Sequence, residues 1–112
     1  MVNQGQIFYL DFNPSKGHEQ RHKRPAIVLS NDLMAQTSNM SVIAPISTTS
    51  RNYPMYYQLT STTKIHGKVL LDQTRAFDLQ SRHVTQANVI ESVTASELEV
   101  ILNIYRLLFT TD

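Results

Sequence analysis

The sequence predicts a mainly β domain with helices: a small, curled antiparallel barrel with an amphipathic helix at its C-terminal end. Three observations predict it. Short apolar, β-branched segments recur along the chain, bounded by Gly, Pro, Asn or Ser. Only one long stretch has helical spacing, and it comes last. The 112 residues, 41% hydrophobic, suffice for one core without metal or disulfide staples, so residues 1–112 read as a single domain.

The elements follow in order. Gln6–Phe12 is dense in aromatic and β-branched residues and reads as a strand, stopped by Asn13-Pro14-Ser15-Lys16-Gly17. Pro25–Ser30 is a second strand, and its unbroken apolar run predicts burial on both faces. Ser30 or Asn31 caps a short helix through Gln36, which Asn39 helps to end. Ser41–Ser47 is a third strand, in which Pro45 predicts a bulge or an edge. The stretch Ser47–Pro54 is a hydroxyl-rich loop. Met55–Leu59 and Lys68–Gln73 read as further strands, with His66-Gly67 as a turn between them, and Asn88–Val93 as one more. Thr94-Ala95-Ser96-Glu97 has capping-box spacing. After it Leu98, Ile101, Leu102, Tyr105, Leu108 and Phe109 recur at helical spacing, a stripe expected to be core.

Composition narrows the setting. No stretch approaches the roughly 20 apolar residues of a membrane-spanning helix. The first residues lack the basic start and apolar run of a signal peptide. There is no cysteine, which excludes disulfides and thiolate metal sites and fits a reducing cytoplasm. The formal net charge of +1 hides an asymmetry. Residues 1–68 carry seven Lys/Arg against three Asp/Glu, a net +4, and residues 69–112 carry three against six, a net −3. A modestly basic half suits local contact with a polyanion.

The charge concentrates in one place. Gly17-His18-Glu19-Gln20-Arg21-His22-Lys23-Arg24-Pro25 is a loop that empties into the second strand. Four cations, Lys16, Arg21, Lys23 and Arg24, stand there against one Glu19. His18 and His22 are four apart, but Pro14 and Gly17 just upstream mark a loop. The helical spacing that puts two rings of a zinc site on one face is therefore not expected. No metal and no cofactor is expected, and no phosphate-cradling glycine loop or nucleophile elbow is present.

What remains is polar: His18, Glu19, Arg21 and Arg24 in one loop, Ser47 and Thr48 in another, and Asp72, Gln73, Arg75 and Asp78 in a third. All fall near ends of predicted strands, which converge in a small barrel. Metal-free RNA cleavage needs this kit. One group takes the ribose 2′-OH proton, one protonates the departing 5′ oxygen, and cations or hydroxyls stabilise the charged phosphorane. Arg suits the phosphate because its planar fork matches two oxygens. A plainer reading stands beside this one. Ser47 and Thr48 make side-chain turns, Asp72 pairs with Arg75 or Arg24 as a structural bridge, His66 is a turn residue and His83 is exposed.

At these residues the chain resembles the MazF/PemK family of toxin endoribonucleases. The matching pieces are Gly5-Gln6-Ile7-Phe8, Asp11-Phe12-Asn13-Pro14, Gly17-His18-Glu19-Gln20, Arg24-Pro25-Ala26-Ile27-Val28-Leu29-Ser30, Ala44-Pro45-Ile46-Ser47 and Gly67-Lys68-Val69-Leu70-Leu71-Asp72-Gln73-Thr74-Arg75. They come in the family's order and cover nearly the whole length. The resemblance implies a CcdB/PemK-type, SH3-like antiparallel barrel, paired as a homodimer with RNA along the dimer groove. It implies metal-independent cleavage of single-stranded RNA at a short motif, giving a 2′,3′-cyclic phosphate and a 5′-hydroxyl. It also implies a cytoplasmic toxin, neutralised by a cognate antitoxin of the MazE/PemI type that docks a flexible tail on the basic loop.

Residue by residue, the resemblance implies that Arg24 has an acid/base and phosphate-stabilising role. Ser47 stands where the family usually has threonine, with Thr48 as a substitute hydroxyl. Glu19 matches the Gly-x-Glu-Gln motif, and His18 and Asp72 match the PemK branch. That branch has an arginine where this chain has Leu70, which shifts weight to Arg24, with Arg75 three residues beyond Asp72 as partial compensation. Lys16, Gln20, Arg21, Lys23, Gln73 and Arg75 are expected to bind RNA. Two rivals remain: a CcdB-like, non-enzymatic toxin that binds gyrase, and a non-catalytic RNA-binding barrel. A binder has no chemical need for Arg24 together with Ser47 or Thr48.

Overall fold

The structure, a computed structural model, describes residues 1–12 and 23–112. The turn at Asn13–Gly17 and the residues Lys16, His18, Glu19, Gln20, Arg21 and His22 lie outside the described residues. Seven strands make one curled sheet: β1 (Gln6–Asp11), β2 (Lys23–Val28), β3 (Ser41–Ser47), β4 (Tyr56–Gln58), β5 (Lys68–Leu70), β6 (Arg75–Phe77) and β7 (Glu91–Ser92). Helix α1 (Asp32–Ser38) links β2 to β3, and α2 (Ala95–Arg106) follows β7. The strand order is β4-β5-β3-β2-β1-β7, with β6 also on β3, and every pairing is antiparallel.

Burial on both faces of the second strand is borne out. Ala26 and Val28 join Phe8, Leu10, Ile43, Phe77 and Leu79 on the outer face. Ile27 and Leu29 join Ile7, Ala44, Ile46, Val69 and Ile101 on the face that α2 covers. The boundary is different from the expected one. Pairing with β1 draws the strand back to Lys23, so Arg24 sits in the sheet opposite Leu10 and not in the preceding loop. Asn31 supplies the cap of α1, its Oδ1 accepting from Met34 N at 3.0 Å, and Asn39 ends the helix with φ 62°. Ser30 serves β3 instead, its Oγ accepting from Val42 N at 2.8 Å.

Pro45 is neither at an edge of the sheet nor beside an extra residue in the β2–β3 register. One side of β3 lies along β2, with Ala26 opposite Pro45. The other side changes partner: residues 41–43 pair with β6 and residues 46–47 with β5. The missing N–H of Pro45 falls in the gap between those ladders, where a strand interior tolerates it. The other strands are shorter than expected. Leu71–Gln73 and Gln86–Asn88 are 3-10 turns, so β5 stops at Leu70 and β7 is only two residues long.

Among the described residues no ladder joins β4 to β7, and carboxylates bridge the gap. From β7, Glu91 accepts from the backbone N–H groups of Thr63, Lys64 and Ile65 at 2.7–3.0 Å. Burial works against its charge, but those bonds prevail and lower its pKa. Thr94 caps α2 as expected, its Oγ1 accepting from Glu97 N at 3.2 Å. The side chain of Glu97 does not return to the cap. It is buried and accepts from Tyr57 Oη, from Thr60 N and Oγ1, and from Ser61 N and Oγ. Ser61 Oγ instead takes the Thr94 N–H. The apolar stripe of α2 packs through Leu98, Ile101, Leu102 and Tyr105. Its last members were expected to be core and are not, since Leu108 and Phe109 are exposed in a 3-10 turn beyond the sheet.

Gly67 shows how tightly β5 approaches β3. Its φ is +140°, and a Cβ there would lie 2.6 Å from the Ser47 carbonyl oxygen. Backbone cannot yield as a side-chain tip does, so Gly67→Ala is expected to cost about 2 kcal/mol or more. Urea unfolding would show it, and a midpoint equal to wild type would contradict the close approach.

Candidate nucleic-acid interface

Side-chain alternation decides which groups share a face. On β3, Ala44 and Ile46 point toward α2, so Ser47 points outward with Ile43. On β2, Ile27 points toward α2 and Ala26 outward, so Arg24 points outward as well. The β2–β3 register runs Val28–Ile43, Ile27–Ala44, Ala26–Pro45. Two further steps would set Arg24 opposite Ser47, just past the last paired residues. Lys68 is the β5 residue opposite Ser47, and Arg75 the β6 residue opposite Ile43. The sheet therefore gathers Arg24, Ser47, Lys68 and Arg75 on its outer side.

The polar details are mixed. Ser47 Oγ accepts from Thr49 N at 3.1 Å, and Thr49 Oγ1 from Arg51 N at 3.3 Å. Ser47 thus makes the expected turn, yet accepting leaves its own proton to donate. Thr48 is exposed. Arg24 is exposed and Lys23, on the α2 side of β2, half-buried. Asp72 is exposed in the turn after β5, and among the described residues neither Arg24 nor Arg75 forms an ion pair with it. Gln73 Nε2 donates to Tyr56 Oη at 3.2 Å. Arg75 donates to the Phe12 carbonyl at 2.5 Å and lies 5.0 Å over the Phe77 ring, which gives it a structural task beside any ligand. Leu70 is buried on β5, whereas Arg75 is on β6, across the point where β3 changes partner, so the two occupy different places. Asp78 turns the chain at Ser81, His66 is exposed in its turn, and His83 is exposed with φ 62°.

Four members of this surface were not singled out from the sequence: Arg51, Tyr53, Tyr56 and Lys68. Lys68 Nζ donates to the Arg51 carbonyl at 2.5 Å and to Asn52 Oδ1 at 2.7 Å, tying the loop after β3 to β5. The tyrosine rings lie 5.0 Å apart. The signal was a basic residue and tyrosines inside a polar loop, which shows its geometry only once β5 is placed. Among the described residues no three His, Cys, Asp or Glu converge as metal ligands, and no helix is long and apolar enough to cross a membrane.

Fold and face together define a small curled β domain with cations, hydroxyls and aromatic rings on its outer side. Comparison with known proteins makes this particular. Residues 3–109 match the family of PemK-like, MazF-like toxins of type II toxin–antitoxin systems. The endoribonuclease toxin MazF of Escherichia coli K12 is 32% identical over 97 residues, covering 87% of this chain and 84% of that one. The crystal structure of MazF (Form-I) from Deinococcus radiodurans superposes with a TM-score of 0.76 at 27% identity, covering 96% of this chain and 94% of that chain. MazE-MazF (Form-II) from the same organism gives 0.75 at 22% identity, covering 98% and 97%. The chain belongs to the PemK-like, MazF-like toxin family.

Proposed function

We propose that this toxin is a sequence-selective endoribonuclease that cuts single-stranded RNA without a metal, using the ribose 2′-OH as nucleophile. The observation that carries the reading is that Arg24 and Ser47 share the outward side of the sheet where β2 and β3 part, with Lys68 opposite Ser47. The 2′ oxygen attacks phosphorus and the bond to the 5′ oxygen breaks. One proton leaves the 2′-OH and one reaches the 5′ oxygen, giving a 2′,3′-cyclic phosphate and a 5′-OH. Arg24 holds the non-bridging oxygens and takes part in proton transfer, and Ser47 or Thr48 donates to the phosphorane. Asp72 is exposed in the turn after β5, and His18 and Glu19 belong to the segment entering β2. Lys16, Gln20, Arg21, Gln73 and Arg75 contribute RNA contacts around it, whereas Lys23 leaves β2 on the opposite, α2 side.

The relatives named endoribonucleases favour this reading over a gyrase-binding toxin or a non-catalytic barrel. On this reading the toxin works in the cytoplasm as a homodimer, with a MazE-like antitoxin as its partner, a partner that the similar MazE-MazF structures support. The test is chemical. Purified protein is incubated with mixed-sequence single-stranded RNA in EDTA and the new ends are mapped. Cyclic phosphate ends are expected, and a 2′-deoxy residue at the cut should abolish cleavage. Cutting that persists there would mean that water or a side chain attacks, and RNA left intact across varied sequences would remove the nuclease reading.

A further inference from the structure

Beside the proposed cleavage hydroxyl lies a group of side chains that the chemistry above does not use. Tyr53 is 48% exposed. Its ring is tilted 43° from that of Tyr56, with centroids 5.0 Å apart, and the Arg51 guanidinium lies 5.8 Å from its centroid. An exposed tyrosine flanked by a second ring and a cation has little to gain from water, but offers a flat, electron-rich surface to a base.

The group is held in place. Tyr57 and Val69 face α2, so Tyr56 and Lys68 face outward on β4 and β5. Gln73 holds Tyr56 by its hydroxyl. Lys68, opposite Ser47, grips the backbone carbonyl of Arg51 and the side chain of Asn52, which brings the Arg51–Tyr53 segment to the strand beside Ser47. The aromatic surface and the hydroxyl are thus two ends of one short, braced stretch of chain.

We propose that Tyr53, with the Arg51 guanidinium over its ring, is a base-stacking subsite for a nucleotide adjoining the scissile phosphate. The proposal rests on the nuclease reading above. Stacking fixes an unpaired base by its face and so orients the neighbouring ribose for attack; hydrogen-bond readout elsewhere supplies the letters of the motif.

The test begins with the cut mapped on mixed-sequence RNA in EDTA. An oligonucleotide spanning that cut, 2′-deoxy at the scissile position to block turnover, is then made in versions lacking one base at a time on either side. Wild-type protein is expected to bind one of these abasic versions about tenfold or more weakly than the intact one. Tyr53→Ala is expected to bind the intact oligonucleotide weaker by a similar factor and to be indifferent to that abasic position. Tyr53→Phe is expected to behave as wild type. If wild type shows no such abasic loss, or Tyr53→Ala binds as tightly as wild type or keeps the loss, the subsite is overturned and the nuclease reading stands. If wild type leaves every RNA intact and unbound, the nuclease reading falls and the subsite with it.

Discussion

Arg24→Ala is expected to lower single-turnover RNA cleavage by about a thousandfold or more while leaving the fold intact. The fold half of that expectation comes from position. Arg24 is exposed, and what the sheet uses there is its backbone pairing with Leu10, which alanine retains. Surface substitutions of this kind usually change stability by less than about 0.5 kcal/mol. The chemical half comes from what the side chain faces. It projects outward at the end of β2, where the register leads toward Ser47, and a charge developing on a phosphorane there needs a donor fork. Arg24→Lys keeps the charge but loses the planar fork, and should fall between wild type and alanine. Thermal midpoints measured beside the cleavage rates separate the two halves. An alanine variant that folds normally and cuts within tenfold of wild type would remove Arg24 from the chemistry.

The second large effect concerns stability. Burial alone would raise the pKa of Glu97, but bonds from the Ser61 and Thr60 side chains and backbone hold it at about 2, against 4.5 for a free carboxyl. As pH falls, the unfolded chain takes up this proton first. The stabilisation from Glu97 is therefore complete above about pH 4.5 and lost as pH falls toward about 2, a difference of roughly 3 kcal/mol. Glu97→Gln is expected to cost a similar amount at neutral pH, because the amide presents N–H groups to donors already aimed at an acceptor. For a domain of this size that lowers the midpoint by about 10–20 °C. The variant should also show a shallower loss between pH 4.5 and 2.5. Thermal melts of both proteins at several pH values would show it, and parallel acid profiles would contradict it. Tyr57→Phe, which removes one of the bonds, should cost only about 1 kcal/mol.

These two residues show how far the sequence could be read. Periodicity and capping residues are local signals, so Thr94, Asn31 and Asn39, the start of α2 and the double-faced β2 were all legible. Glu97 was legible only as half of a capping box. Its real partners lie 36 to 40 residues away on β4 and the segment after it, and tertiary contacts overrode the local pairing. Leu108 and Phe109 kept the helical period but outran the sheet they would have covered. Arg24 read as loop because Pro25 marks a boundary in sequence, while pairing with β1 carried the strand past it. The site was legible as a set of residue types near strand ends. Its extension to Arg51, Tyr53 and Lys68 needed the register of β5 on β3, which no spacing along the chain encodes.

Alternation along β3 and β5 has an evolutionary consequence. Ile46 and Val69, turned toward α2, belong to a buried jigsaw in which almost any change is costly. Their neighbours Ser47 and Lys68 stand on the opposite side of the same strands, where among the described residues their side chains bond only to the loop after β3. Natural variation can therefore rewrite Ser47 and Lys68, and on the proposed function the RNA motif a descendant prefers, while Ile46 and Val69 stay fixed. At this one end of the two strands, selection for a new target and selection for a foldable chain act on alternate residues.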